Sequence, residues 1–510
     1  MRKLSMACTV LLGLPCSAYT AYHAWRARRS SIAFPYIPPL PLVTPDGTLL
    51  LDGVALAPPS RLALVGRMMH LATLFLPLLV RYYCWCWTHR MLLQWLEDLL
   101  EAVVCAGPAF VKAGQWACTR SDLFGRDFVT VFQCIFNDIR EHSWDDTKRI
   151  VEQEVRKPFH EVFEDVSRQP LGSGSVGQVY KGRWRATGQI VAFKVMHPNV
   201  VEDIHMDFVV INAVARFCDR WLPRVGILSH CSMAHLSLDM TKTLAAQLDF
   251  RIEAENLETL NRNFEGEPHS CRFPRPLMAT RCLLVDEFVE GHKSTPAFIQ
   301  SLPQHTREII AVRGINCWCK MLLRDRFIHG DFHPGNILVD ARDLDNPTVT
   351  LVDAGLCQKL SEEEAVKSQS LLQSVVFWEP KDCSSTILSM SQKEQPYRQA
   401  FIDGVDAVFE RYDPMKNSHV ASDLMLALFD EIRENRVRIE SSYVNLMFSV
   451  MVLEGFLMNI HRNYLPTMIR SSTPWLISDG AEGVLSFSKG VKFVRQNFWR
   501  GLERAWGTAS

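Results

Sequence analysis

Apolar and polar positions change period several times along the chain, and the changes mark its elements. From Leu92 to about Val166 the apolar residues keep a helical spacing, with Phe124, Phe128, Val131 and Ile135 recurring about every 3.6 residues. A strand-like block follows: Val179-Tyr180-Lys181-Gly182 and Ile190 to Val195 flank Thr187-Gly188, which predicts a hairpin. Helical spacing then returns up to about Phe264. The run RCLLVDEFV over 281–289 reads as a buried strand, 303–326 as helix, and TVTLVD over 348–353 as a short strand. From Ser361 the spacing is helical almost to the C-terminus. Strands first and helices later predict an α+β fold of two lobes, a small β-rich N-lobe and a helical C-lobe, with an N-terminal helical extension. No internal repeat or low-complexity run interrupts the series.

Two stretches stand apart. Residues 1–60 read as a leader and linker, broken by Pro35, Pro38, Pro39, Pro41, Pro45, Pro58 and Pro59. The first acidic residue is Asp46, and Arg2, Lys3, Arg26, Arg28 and Arg29 precede it with Ser30 and Ser31. Arg-rich, Ser-containing and acid-poor is the composition of a mitochondrial transit peptide. The apolar run from Leu4 to about Ala18 also fits a secretory signal, but the later arginines and the cysteine usage favour mitochondria. The second stretch, Met68–Val80, precedes Arg81, Tyr82, Tyr83, Trp85 and Trp87. Its thirteen residues fall short of the about 20 that cross a bilayer, and extension back to Leu62 brings in Arg67 and His70. It reads as a membrane-surface segment or a weak single span, with a buried helix of the folded domain as the alternative.

Composition narrows the choice. The 510 residues suffice for one large domain or two ordinary ones, and 47% hydrophobic residues supply a core. Lys plus Arg (55) balances Asp plus Glu (56), so no basic excess supports a nucleic-acid partner. The 15 scattered cysteines, with Cys84/Cys86 and Cys317/Cys319 as close pairs, show no repeated zinc spacing and read as buried free thiols in a reducing compartment.

The chemistry begins at residues 172–179, Gly-Ser-Gly-Ser-Val-Gly-Gln-Val, which fit G-x-G-x-x-G-x-V. Gly172, Gly174 and Gly177 let backbone approach phosphate oxygens closely, and Ser175 and Val179 share the loop. A dinucleotide-binding turn needs a helix after the glycines. Here VYKGRW and VAFKV follow, which suits a kinase-type hairpin. Lys194, in Val191-Ala192-Phe193-Lys194, is close to V-A-I-K. A lysine among apolar residues needs anions, namely nucleotide phosphates and a helix glutamate. Glu253, Glu255 and Glu258 are the candidates for that glutamate.

Residues 329–336, HGDFHPGN, match D-x-x-x-x-N of a kinase catalytic loop. Asp331 is expected to orient the attacking hydroxyl or water and accept its proton. Asn336 and Asp353, the latter ending the strand in Leu351-Val352-Asp353-Ala354-Gly355, are expected to hold Mg²⁺, which prefers such hard oxygens. A zinc reading of His329, Asp331 and His333 finds no further ligands at zinc spacing. Ser361-Glu362-Glu363-Glu364 is a capping-box pattern only eight residues after Asp353. No A-P-E follows, so the platform that docks peptide substrates is not expected.

Together these residues resemble the UbiB, or ABC1/aarF-domain-containing, family of atypical kinases, over roughly residues 90–460. The family-specific signs are Lys112-Ala113-Gly114-Gln115, matching K-x-G-Q, the run QLDFRIEAEN at 247–256, and HGDFHPGN. The resemblance implies that a helix carrying Lys112 and Gln115 folds over the nucleotide, and that Glu253 partners Lys194. It implies ATP or ADP and Mg²⁺ as cofactors. It also implies a lipid or quinone-like small molecule, the mitochondrial inner membrane and a coenzyme Q biosynthetic complex as partners. The resulting division is 1–60 leader and linker, 61–90 membrane-associated or transmembrane segment, 91–166 helical extension, 167–292 kinase-like N-lobe, and 293–510 helical C-lobe with C-terminal helices. Two departures stand out. The family's E-x-D motif reads Gln247-Leu248-Asp249, and its alanine-rich nucleotide loop is Gly-Ser-Gly-Ser-Val-Gly here. Competing readings are a nucleotide-switched scaffold without turnover and a soluble phosphotransferase of the aminoglycoside or choline kinase type. That second group shares H-G-D-x-x-x-x-N but is disfavoured by K-x-G-Q and EAEN.

Overall fold

A computed structural model describes residues 42–460 except 45–46, 86–87, 133–140, 222–231, 268–269, 333, 392–394, 396 and 413–420, together with Ser471, Ser472 and Trp475. The leader up to residue 41, Cys86, Trp87, Ile135, His333 and the C-terminal Trp499 and Trp506 lie outside the described residues.

After a two-strand ribbon, β1 (Leu50–Leu51) and β2 (Val54–Ala55), the chain runs through helices α1 (Arg61–Trp85), α2 (His89–Ala106), α3 (Pro108–Thr119), α4 (Arg126–Phe132), α5 (Trp144–Val155) and α6 (Phe159–Val162). The apolar segment expected to span thirteen residues is thus one helix of 25, with Arg67 and His70 inside it. Arg67 does not end the helix because its charge is met elsewhere: its guanidinium bonds both oxygens of Asp207 at 2.7 and 2.9 Å and the Ala106 carbonyl. The helix is not buried in the domain either, since most of its side chains are exposed.

The small lobe is an antiparallel sheet of six strands. β3 (Phe163–Glu164), β5 (Gly177–Trp184), β6 (Ile190–Met196), β8 (Leu283–Glu287) and β7 (Pro276–Ala279) lie in the order β3-β5-β6-β8-β7, and β4 (Gly172–Ser173) pairs with the start of β5. The β5–β6 hairpin turns at Thr187-Gly188; Gly188 has φ 69°, a left-handed conformation that glycine adopts without strain. One sheet face packs Tyr180, Phe193, Val285 and Phe163 against α5 and α6, with Phe163 and Phe193 rings stacked 4.3 Å apart. The other face meets α3, α7 (Val200–Trp221), α8 (Met233–Ala245) and α9 (Phe250–Asn263) through Val176, Met196 and Leu284.

The large lobe holds β9 (His292–Lys293), α10 (Pro296–Ser301), α11 (Gln304–Cys319), a π-helical turn over Lys320–Arg324, β10 (Phe327–His329), β11 (Ile337–Asp340), β12 (Thr348–Leu351) and β13 (Cys357–Lys359). Helices α12 (Glu362–Val376), α13 (Pro380–Ser389), α14 (Arg398–Arg411), α15 (Ala421–Glu434) and α16 (Ser441–Ile460) follow. Strands β12-β11-β9 make one small sheet and β10-β13 another, both antiparallel. Their inner residues join α11 and α16 in one core around Cys317, Ile328, Leu351 and Phe456, while α12–α15 enclose a second. Ser361 and Glu364 exchange both bonds of the capping box, at 3.2 and 2.8 Å, and start α12 where the sequence pattern places it.

Candidate active site

Between the lobes lies a cleft of about 1410 Å³. Strand β6 delivers Lys194 to it. Cross-strand pairing sets Lys194 opposite Val179 on β5 and Leu284 on β8, so its side chain leaves the sheet on the cleft face. Asp249 caps α9, accepting the Arg251 N–H at 3.0 Å, and the helix brings Glu253 to the lysine in its first turn. The Lys194 ammonium donates to both Glu253 oxygens at 2.9 and 3.1 Å and to Asp353 Oδ2 at 3.3 Å. Among the described residues the ion pairs of Lys194 are with Glu253 and Asp353, not with Glu255 or Glu258, the alternatives open in the sequence.

Two carboxylates thus share one ammonium, and its single charge is divided between them. Burial opposes the Lys194 charge, but Asp353 and Glu253 outweigh it and hold its pKa above the ordinary lysine value. Burial also works against the Asp353 charge, yet Lys194, the Gly355 N–H and Lys112 hold its carboxyl well below the usual range. Glu253 goes the other way: burial raises it to about 7 against the pull of Lys194. A carboxyl whose folded pKa exceeds its unfolded value adds stability that is fully present below the unfolded value and lost as pH rises through the folded one. The unfolding free energy of the wild type minus that of Glu253→Gln is therefore expected to decline as pH rises from 4.5 to about 7. Denaturant titrations across that range check it, and a flat or rising difference would refute the assignment.

The catalytic-loop residues form one hydrogen-bonded unit. Asn336 Nδ2 donates to Asp331 Oδ2 at 2.8 Å and to its carbonyl at 3.2 Å. The Asn336 carbonyl accepts the Val352 N–H at 3.0 Å, next to Asp353. The Gly330 N–H donates to the Leu356 carbonyl at 2.7 Å, and His329 pairs in register with Cys357. His329 is buried, which lowers its pKa and keeps the ring neutral, so Nδ1 accepts the Asp331 N–H at 3.2 Å. Gly355 donates to Asp353 Oδ1 at 3.0 Å, and a Cβ there would stand 3.1 Å from that oxygen.

On the loop, Gly174, Ser175 and Gly177 line the cleft, whereas Gly172 lies within β4 outside the lining, as does Val179. Asn336 also lies off the lining, behind Asp331. A Cβ at Gly177 would meet the Val195 carbonyl oxygen at 2.5 Å, so only glycine permits this approach of β5 to β6. The Ser173 and Ser175 hydroxyls are buried with no partner among the described residues. From α3, Lys112 and Gln115, three residues apart on one helical face, both line the cleft. Burial lowers the Lys112 pKa, partly offset by Asp353 and Asp331. The lining also includes the apolar side chains Val129, Phe448, Met451 and Val452, with Asn445 and Ser449 on the same helix as the last three.

Sequence reasoning missed three contributors. Asn256 lines the cleft and donates to the Ala354 carbonyl at 2.8 Å; its signal was its place one turn after Glu253. Asp286, buried on β8 with Oδ1 unpartnered among the described residues, has its pKa pushed well up by burial and by Glu253; a carboxylate inside an apolar strand run was the clue. His197 sits 2.8 Å from the Gly174 carbonyl through Nε2 and shares a 2.6 Å Nδ1–Nδ1 contact with His142, pinning the glycine loop to the segment before α5. Burial and the neighbouring ring hold His142 down at about 4, so the pair stays uncharged. Nothing in the local sequence signals that contact.

A β-rich lobe bearing a lysine–glutamate pair, a helical lobe bearing the loop from Asp331 to Asn336, and a cleft between them define a kinase-like protein. Residues 134–386 match the ABC1 atypical kinase-like domain. The chain is 24% identical over 502 residues to a probable serine/threonine-protein kinase, abkC, of Dictyostelium discoideum, covering 84% of this chain and 70% of that one. It is 23% identical over 526 residues to a mitochondrial ABC1 family protein of Saccharomyces cerevisiae, covering 86% and 78%. A probable protein kinase UbiB of Vibrio atlanticus is 28% identical over 260 residues, covering 51% and 47%. Residues 134–386 are therefore an ABC1 atypical kinase-like domain, in a chain similar to kinases named ABC1 and UbiB.

Proposed function

We propose that this protein binds Mg-ATP and acts as an atypical kinase or ATPase in mitochondrial lipid or coenzyme Q metabolism, associated with the inner membrane. The observation that carries the reading is the Lys194 ammonium held between Glu253 and Asp353 in a cleft roofed by a glycine loop. The residues suit the nucleotide: an ammonium and an unpartnered Ser175 hydroxyl for phosphate oxygens, and a glycine that a Cβ would force out of place. Asp353 and the side-chain oxygen Oδ1 of Asn336 would hold Mg²⁺, whose contribution when bound is to neutralise charge on the phosphate oxygens. Lys194 orients the phosphates, and Asp331, fixed by Asn336 and His329, takes the proton of the acceptor hydroxyl or water.

The acceptor side of the reading follows from size and polarity. Pockets for small ligands occupy about 300–1,000 Å³, so a 1410 Å³ cleft leaves room beside a nucleotide. The rest of the lining mixes the apolar side chains Val129, Phe448, Met451 and Val452 with the polar Asn445 and Ser449, which suits an amphipathic lipid or quinone-like molecule. Only seven residues separate Asp353 from the Ser361 cap, which leaves little chain for a peptide-docking platform. The mitochondrial setting is supported by the acid-poor leader and by the yeast relative named mitochondrial. A second reading, a nucleotide-switched scaffold within a coenzyme Q biosynthetic complex, draws on Lys112, whose ammonium faces both Asp353 and Asp331.

The test compares ATP turnover, with lipid vesicles present, of wild type and Asp331→Asn. Loss of a positioned general base should lower turnover by about 10²-fold or more, with magnesium-dependent nucleotide affinity by calorimetry retained. Equal turnover would end the enzymatic reading. Binding without turnover in the wild type would select the scaffold, and absence of magnesium-dependent affinity would remove both.

A further inference from the structure

Helix α1 is apolar on every side yet buried on almost none. Its 25 residues contain no Asp or Glu, and 6% of its most apolar 18-residue window is buried. Nine of the twenty exposed large apolar side chains among the described residues lie on this one helix. They are not scattered. Leu62, Val65, Met69, Leu76, Leu79 and Tyr83 recur at helical spacing on one stripe and are 54–85% exposed.

The opposite stripe is fastened to the protein along its length. Arg67 is bound to Asp207 of α7. Phe75 packs on Phe110 of α3, ring centroids 5.5 Å apart. Trp95 of α2 donates its indole N–H to the Leu78 carbonyl at 2.7 Å, and Arg81 pairs with Asp98 of α2. These anchors run from residue 67 to residue 81, about 21 Å of helix at 1.5 Å per residue.

That fastening decides between two orientations. The helix is long enough to cross a bilayer by length and composition. Set upright, however, it would draw its anchors into about 30 Å of hydrocarbon. Those include Asp98 and Asp207, with Glu97 and Glu101 of α2 exposed beside them. Carboxylates and a water-facing helix surface are costly there. Set in the plane of the surface, only the apolar stripe enters lipid, to a depth of about 5–10 Å. The weak amphipathicity of α1 then has a cause: one apolar face meets protein and the other meets acyl chains.

The charges name the kind of surface. Arg61 stands exposed at the start of α1 and Arg90 at the start of α2, while Arg81, exposed and paired with Asp98, lies beside Tyr82 and Tyr83, which suit the interfacial layer. We propose that α1 lies in the plane of a membrane carrying anionic phospholipid, its outer stripe in one leaflet, and holds the kinase-like body on that surface without crossing. This deepens the membrane association proposed above and rests on it, but not on nucleotide chemistry.

The experiment uses the full chain, with an epitope tag inserted before Ser60, added to preformed phosphatidylcholine vesicles with and without phosphatidylglycerol. Wild type should float with the anionic vesicles. Met69→Glu and Leu76→Glu, at 66% and 58% exposed positions, should lower flotation at least tenfold while circular dichroism and nucleotide affinity stay unchanged. Protease added outside should remove the tag and the body alike. Protection of the tag while the body is digested would establish a crossing helix and overturn the proposal. Unchanged flotation of both variants would also overturn it. So would a wild-type dimer that the variants convert to monomer, since the stripe would then cover a second copy of this chain. Intact flotation beside absent nucleotide affinity would leave this inference standing and remove the nucleotide reading alone.

Discussion

Lys194→Met is expected to cost the folded protein about 3–5 kcal/mol at pH 8, the penalty for breaking a buried ion pair from one side. Methionine fills similar space, so packing changes little and the effect is electrostatic. Lys194 is 17% exposed and Glu253 5%, so water does little to replace the lost ammonium. Without it Glu253 faces Asp353 with no countercharge nearer than Lys112. Glu253, already raised to about 7 beside its lysine, then takes up a proton more readily, which caps the loss at lower pH. The cost should therefore grow as pH rises from 6 to 8. Adding Glu253→Leu should recover part of it, because the orphaned charge leaves with its side chain. Urea unfolding of the three variants at both pH values measures this. A cost below about 1 kcal/mol at pH 8, the range of an exposed pair, would show that the cluster is open to solvent.

Asp353→Asn should leave the fold intact and lower magnesium-dependent nucleotide affinity by about 100-fold. Asparagine keeps an oxygen to accept the Gly355 N–H, and Lys194 keeps both bonds to Glu253. What is lost is a carboxylate charge whose side chain is 40% exposed to the cleft. Residues that merely orient metal ligands cost 10–100-fold when changed, and a direct ligand stands at or above the upper end, about 100-fold. Calorimetry with ATP in magnesium and in chelator separates the effects: affinity in chelator should change little. Equal magnesium-dependent affinity in variant and wild type would remove Asp353 from the metal.

The parts of this site that were legible are those whose geometry is set by nearby chain. Glycines spaced by one and two residues, a lysine on the partner strand of the same hairpin, and an aspartate five residues before an asparagine keep their relations through local backbone alone. The structure brings Lys194, Glu253, Asp331 and Asp353 to one cleft. Contacts between distant residues were not legible. Arg67 looked like an interruption of an apolar run because Asp207, its counter-ion, lies 140 residues away. His197 reaches His142 across 55 residues, with no period or motif to announce it. Asp286 was hidden in plain view, since one carboxylate in RCLLVDEFV does not change a strand assignment. The short strands β3, β4 and β9, of two residues each, are too brief for any pattern and exist because a neighbouring strand already offers its edge.

The ladder that joins Gly330 to Leu356 and Asn336 to Val352 has a mechanical consequence. Asp331, Asn336 and Asp353 are thereby tied to one another within the large lobe, as one jaw. Lys194 and the glycine loop belong to the other jaw. Across the gap the jaws touch at the bond from Lys194 to Asp353, and α9 spans both through Glu253 and Asn256. Separating the jaws would therefore have to break the Lys194–Asp353 bond and the Asn256–Ala354 bond, which run between them.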